Sequence, residues 1–194
     1  MNNVIQAAAE LQAVCLSEGW RFCFIGGIAQ LRWGQPRTTV DADLSLLTGF
    51  GGELPYVQTL LNHFTARLPD AEEFALQRRV LLLSSSGGVG LDVTLAALPY
   101  EAQVIERSSM FEYPSNVCLR TCSAEDLVVM KAFAARTQDW ADVERVIFRQ
   151  AGKLDWNYIR AQLAPLAELQ GDPDRVAELE RRRAAIEQSS PGGA

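Results

Sequence analysis

The stretch Thr38-Thr39-Val40-Asp41-Ala42-Asp43-Leu44-Ser45-Leu46-Leu47 alternates apolar and polar residues with a period of two. That is the pattern of a β-strand with one buried face. Val40, Ala42, Leu44 and Leu46 point one way, and Thr39, Asp41, Asp43 and Ser45 the other. Two carboxylates therefore stand side by side on the polar face of a sheet. On its own an Asp-x-Asp pair is usually solvent-facing charge. Its meaning depends on what the rest of the chain brings beside it.

Upstream, residues 4–17 carry Val4, Ala8, Leu11, Val14 and Cys15 at helical spacing, and Gly19 ends that helix. Trp20 to Ile25 reads as a strand closed by Gly26-Gly27. A short helix follows over 28–33, broken by Gly34 and Pro36. Downstream of the aspartate strand, residues 54–67 predict a helix with Leu54, Val57, Leu60, Leu61 and Phe64 on one face. Val80–Ser84 and Val89–Leu95 predict the arms of a hairpin turned by Ser85-Ser86-Gly87-Gly88. Asp92 and Thr94 share the polar side of the second arm. Two shorter strands are expected at 109–113 and 117–121.

The pattern then becomes helical. Ser123-Ala124-Glu125-Asp126 is an N-cap sequence opening a helix through Leu127, Met130, Lys131 and Phe133. Further helices are expected at 139–150, 155–168 and 173–187. The fold class is thus α+β: a mixed β-sheet flanked by helices over residues 1–122, a helical C-terminal bundle over 123–187, and a disordered tail over 188–194.

Composition narrows the function. Of the 194 residues, 48% are hydrophobic and 22% charged, which suits one packed core. The formal net charge of −6 gives no broad electrostatic footprint for duplex DNA. Cys15, Cys23, Cys118 and Cys122 form no C-x-x-C pair, and the lone His63 is distant from them. Reduced, buried cysteines are expected rather than a zinc site. No apolar run is long enough to span a bilayer, and no basic leader precedes one, so a cytoplasmic protein without membrane attachment is expected.

Three features then converge. Asp41 and Asp43 can hold hard cations, because magnesium takes carboxylate oxygens together with waters and phosphates. Asp92 on a neighbouring strand, about 4.8 Å away in a sheet, is the third carboxylate such a site needs. Gly26-Gly27, between a strand and a helix, allows backbone N–H groups to approach a triphosphate. Two metal ions about 3.5–4 Å apart can stabilise both the entering and the leaving oxygen of a phosphoryl displacement. The Gly87-Gly88-Val89-Gly90 run precedes a strand, so it fails the context of dinucleotide and phosphate-binding loops.

Gly26-Gly27 followed by Arg37-x-Thr39-x-Asp41-x-Asp43-Leu44 resembles the minimal nucleotidyltransferases of the polymerase-β superfamily, closest in style to the AbiEii-type abortive-infection toxins. The resemblance covers residues 20–47, Leu91–Thr94 and 123–146. It implies that Asp41, Asp43 and Asp92 are metal ligands and catalytic residues. It also implies that Gly26, Gly27, Arg37, Thr39, Lys131, Arg136 and Asp139 contact the nucleotide. Lys131 followed by Arg136-Thr137-Gln138-Asp139-Trp140-Ala141-Asp142 matches the family's second-half motif. On a continuous helix Lys131, Ala135, Asp139 and Asp142 would share one face. Many members carry Gly-Ser where this chain has Gly26-Gly27.

The resemblance further implies two Mg²⁺ (or Mn²⁺) ions as cofactors and a nucleoside triphosphate as substrate. The acceptor would be RNA, with tRNA one option, or a protein, and a cognate antitoxin a further partner. The expected reaction moves a nucleoside monophosphate to that acceptor. Two alternatives remain: a non-catalytic nucleotide- or protein-binding module on the same fold, and a kinase-like phosphotransferase. His63, beside Leu60, Leu61 and Phe64, is expected to be partly buried rather than catalytic. The Arg181-Arg182-Arg183 run is expected to be a solvated helix face, with RNA contact as the rival reading. Trp33 could stack on a base, although core packing is the commoner fate of a tryptophan.

Overall fold

The computed structural model describes residues 2–189. The first part of the chain runs α1 (Asn2–Ser17), β1 (Phe22–Phe24), α2 (Gly26–Trp33), β2 (Asp41–Leu47), α3 (Glu53–His63), β3 (Thr65–Ala66), α4 (Ala71–Arg78), β4 (Val80–Ser84), β5 (Gly90–Ala96), α5 (Pro99–Glu106), β6 (Ser109–Tyr113) and β7 (Val117–Thr121). The strands form one mixed sheet in the order β3-β4-β5-β2-β1-β7-β6. Helices α6 (Ala124–Ala134), α7 (Thr137–Arg149), α8 (Trp156–Gln170) and α9 (Asp174–Ser189) complete the described chain. The fold is α+β, a mixed sheet with flanking helices followed by a helical region.

The chain divides into two compact units. One comprises Met1–Ile28 and Thr38–Cys122, the other Ala29–Arg37 and Ser123–Ala194. The segment 29–37, most of α2 and the turn after it, thus belongs with the C-terminal helices. The tail expected over 188–194 begins inside α9, and its residues from 190 on lie outside the described residues.

In the first unit most core side chains follow the predicted period, but Ser45, expected on the polar face, is buried, and Leu54, expected on the apolar face of α3, is 40% exposed. Leu44 and Leu46 on β2, Leu81 and Leu83 on β4, and Leu91, Val93 and Leu95 on β5 are essentially inaccessible. Each contributes about 1.5–3 kcal/mol by leaving water. Burial of one face fixes the register, because a one-residue slip would turn every leucine to the polar side. β2 and β5 are parallel neighbours, with Ala42 opposite Leu91, Asp43 opposite Asp92 and Leu44 opposite Val93. β4 and β5 form the expected antiparallel hairpin.

Several expectations are corrected. β2 starts at Asp41 rather than 38. Val40, expected inside, is 73% exposed, whereas Thr39, expected on the open face, is buried. The helix expected over 54–67 ends at His63; Phe64 is extended (φ −130°, ψ 152°), and Thr65 and Ala66 pair with β4. Helices α4 and α5 were not anticipated. The signal for α5 is Leu98-Pro99-Tyr100-Glu101: proline suits the first helical turn, and the Glu101 carboxylate accepts from the Leu98 N–H at 2.8 Å. His63 is exposed. Cys15, Cys23 and Cys122 are buried and form no disulfide, and burial pushes the Cys15 thiol up to about 12, but Cys118 is exposed.

In the second unit, α6 and α7 do not form one helix. Ala135 caps α6 in the left-handed region at φ 50°, and α7 restarts after Arg136. The arginine run on α9 lies among glutamates: Arg181 and Arg182 bind Glu178, at 2.7 and 2.5 Å, and Arg183 binds Glu187 at 2.8 Å. This supports the solvated, ion-paired face over RNA contact. The Trp33 ring is covered by the Arg32 guanidinium at 4.0 Å. Among the described residues no helix is long and apolar enough to cross a membrane.

Candidate active site

β1 delivers the chain to Gly26, whose φ of +52° suits glycine. The backbone here is held by the aspartate strand, since the Ile25 N–H donates to the Asp43 carbonyl at 2.9 Å. α2 starts at Gly26 itself, two residues earlier than the sequence suggested. Asp43 reaches back to this helix start: the Gly27 N–H donates to its Oδ2 at 3.3 Å. A carboxylate at a helix N-terminus satisfies an otherwise orphaned donor and meets the positive end of the helix dipole.

Both glycines are required by close approach. A Cβ on Gly26 would lie 2.1 Å from Asp43 Oδ2, and one on Gly27 would lie 2.2 Å from Thr39 Oγ1. The Thr39 hydroxyl therefore fills the space where a side chain at position 27 would begin, and it donates to the Asp41 carbonyl at 3.2 Å. That contact explains why Thr39 is buried although the strand pattern put it on the open face.

The third carboxylate arrives through the parallel β2–β5 pair. Asp43 and Asp92 are register partners, and Asp41 is opposite Gly90. Gly90 leaves a gap on this face: a Cβ there would lie 3.4 Å from the Asp41 Cβ and 3.3 Å from Arg67 Nη1. Arg67, which the sequence did not single out, forms an ion pair with the Asp92 carboxylate. Burial pushes the Asp92 carboxyl above its usual range, and the charge of Asp41 pushes it the same way; Arg67 offsets only part of this.

The donor set fits a hard divalent cation. All three side chains offer carboxylate oxygens, the ligand type that hard divalent cations prefer. Among the described residues no three ligating side chains already converge as a cage, and Asp92 is engaged by Arg67 instead.

The remaining expected site residues belong to the second unit, where they bind one another. The Asp142 carboxylate, fully buried, accepts from Arg37 Nε at 2.9 Å and Nη2 at 3.0 Å, and pairs with Lys131 Nζ at 2.8 Å and Arg145 Nη1 at 3.0 Å. Asp139 accepts from Lys131 at 3.1 Å and Arg136 at 2.6 Å. Burial pushes both carboxyls up, but these hydrogen bonds and cationic neighbours outweigh it and leave both below the ordinary range. α7 also holds the turn after α2: Arg149 donates to the Gly34 carbonyl at 2.5 Å, Gln150 to that of Trp33 at 2.8 Å, and Gln30 to that of Asp142 at 3.2 Å. Lys131, Asp139 and Asp142 thus meet across a helix–turn–helix, not along one helix face.

No family model matches this sequence, and no curated protein matches it. Solved structures do. An antigenic nucleotidyltransferase-like protein from Paracoccidioides brasiliensis superposes with a TM-score of 0.54 over 93% of both chains, at 14% identity. The fold is nucleotidyltransferase-like. Looser likenesses reach ANT(2'')-Ia in complex with adenylyl-2''-tobramycin, with a TM-score of 0.46 and 17% identity over 98% of this chain and all of that one. The CCA-adding enzyme with CTP gives a TM-score of 0.35 and 11% identity over 95% of this chain and 50% of that one.

Proposed function

We propose that the chain is a metal-dependent nucleotidyltransferase that moves a nucleoside monophosphate from a nucleoside triphosphate to an acceptor, releasing pyrophosphate. The observation that carries this reading is the placement of Asp41, Asp43 and Asp92 on one face of the β2–β5 pair, with Asp43 anchored at the start of α2. Asp41, Asp43 and Asp92 would hold divalent magnesium or manganese. That metal would supply charge neutralisation for the triphosphate.

The protein's own groups perform the rest. The Gly27 N–H fixes the Asp43 carboxylate, and the glycine pair keeps the approach to it free of side chains. The raised affinity of Asp92 for a proton suits a base that takes a proton from an attacking hydroxyl. Thr39 keeps a hydroxyl beside Gly27, where many relatives by motif carry a serine. The resemblance also implies nucleotide contacts by Arg37, Lys131, Arg136 and Asp139, which pair with one another and with Asp142 within the second unit. The same resemblance makes RNA, including tRNA, or a protein the acceptor, and a toxin with a cognate antitoxin the biological setting.

One observation favours a second reading. Arg67 already occupies the Asp92 carboxylate as an ion-pair partner, as in a module that binds a nucleotide or protein without turnover. Calorimetric titration of each nucleoside triphosphate with Mg²⁺, in wild type and Asp43→Ala, combined with a pyrophosphate-release assay, separates the two. Metal-dependent binding with pyrophosphate release, both lost in the variant, supports the enzyme. Binding without release supports the module. Absence of any metal-dependent binding overturns the first reading.

A further inference from the structure

Arg67 follows the two-residue edge strand β3. Its backbone N–H donates to the Leu82 carbonyl at 3.0 Å, and Leu82 is in turn the register partner of Asp92. The side chain therefore reaches past β4 to the polar face of β5. There its guanidinium pairs with Asp92, and its Nη1 lies 3.3 Å from the point where a Gly90 Cβ would be. The Asp41 Cβ approaches that same point at 3.4 Å. The guanidinium and Asp41 thus flank the gap at Gly90, and a side chain at position 90 would crowd both.

This is a cation's place among carboxylates. Carboxylates gathered on one face repel one another, and without a counter-ion that repulsion costs stability. An arginine side chain can relieve that cost, yet its long stem and partial exposure, at 35% of the side chain, leave it able to move away. A carboxylate bound to a guanidinium cannot offer the same oxygen to a metal ion.

We propose that Arg67 is a built-in counter-ion that competes with the divalent metal for Asp92, so that loading the metal site requires displacement of its guanidinium. The proposal rests on the reading of Asp41, Asp43 and Asp92 as the metal site. Gly90 has a part in it, since a Cβ there would press on the guanidinium at 3.3 Å. The consequence is a site whose negative charge Arg67 partly offsets and which the cation itself opens.

The test is Mn²⁺ binding to the full chain, followed by electron paramagnetic resonance, in wild type, Arg67→Gln and Arg67→Met. Arg78→Gln serves as a control that removes one exposed positive charge from the neighbouring helix. Arg67 is itself exposed, and circular dichroism verifies that each variant is folded. Loss of the competing ion pair should tighten Mn²⁺ binding by about 3- to 10-fold in both Arg67 variants, with a change of about twofold or less in Arg78→Gln. Unchanged or weaker binding in the Arg67 variants, with wild type binding Mn²⁺, overturns the competition and leaves the metal site standing. Failure of wild type and both Arg67 variants to bind Mn²⁺ overturns the metal site and the competition with it.

Discussion

Asp43 and Asp92 are register partners on the parallel strands β2 and β5, and a different group holds each: the Gly27 N–H binds Asp43, and the Arg67 guanidinium binds Asp92. The sheet brings the two carboxylates together, while their partners set the direction of each. The consequences can be measured one at a time.

Gly26 is the position with least tolerance. A methyl group there would stand 2.1 Å from Asp43 Oδ2 on a backbone at φ +52°. Gly26→Ala should lose about 1–2 kcal/mol from backbone conformation alone, and more from displacing Asp43. Urea unfolding measures the loss, and Mn²⁺ titration should show weakened binding in the same variant.

Gly27 and Thr39 should behave as a coupled pair. The Cβ of an alanine at 27 would meet the Thr39 hydroxyl oxygen at 2.2 Å. Gly27→Ala is therefore expected to be destabilising, and Thr39→Ala to recover part of the loss. A double-mutant cycle should give a coupling energy of at least about 0.5 kcal/mol. Additive effects would mean that the two residues do not share this space.

Asp142 and Arg136 mark opposite ends of the second unit's charge cluster. Asp142 is fully buried among Arg37, Lys131 and Arg145, whereas the Arg136 side chain is 79% exposed. Asp142→Ala removes the carboxylate shared by the buried Lys131 and the partly exposed Arg37 and Arg145, and should cost about 3–5 kcal/mol. Arg136→Ala should cost about 1 kcal/mol or less. Chemical denaturation of both variants gives the comparison.

Acid should act in opposite directions on two groups. Asp139 and Asp142 have folded values below the ordinary 3.8, so their contribution to stability is full above that value and is lost as pH falls through the folded values. Asp92 is raised above 3.8, so its contribution is present below that value and is lost as pH rises through the folded value. In metal-free buffer at neutral pH, Asp92→Asn should therefore melt no lower than wild type. Added Mg²⁺ should then raise the melting temperature of wild type more than that of the variant.

Much of this site was legible in the sequence because strand periodicity is a strong signal. The alternation through Asp41 and Asp43, and again through Leu91, Asp92 and Val93, placed the carboxylates on polar faces, and the leucines between them are buried. The inversion at Thr39 and Val40 was not legible, because it arises from a hydroxyl packing over Gly27. Arg67 was hidden for a related reason. It follows a strand of only two residues, in a stretch whose apolar spacing continues the preceding helix, so nothing local marks it as a partner for Asp92. The break between α6 and α7 turns on Ala135 in the left-handed region, a conformation that alanine does not advertise. Lys131, Asp139 and Asp142 meet, but across the turn between α6 and α7 and not along one continuous helix face.

The central claim is nucleotidyl transfer, and labelled triphosphates test it most directly. Purified protein is incubated with Mg²⁺, RNA and cell lysate, using each nucleotide labelled separately at the α and γ phosphates, beside the Asp41→Ala/Asp43→Ala variant. Label from the α position appearing on RNA or protein, and absent in the variant, is the predicted result. Transfer of γ label alone, or no incorporation from any of the four nucleotides, would contradict it.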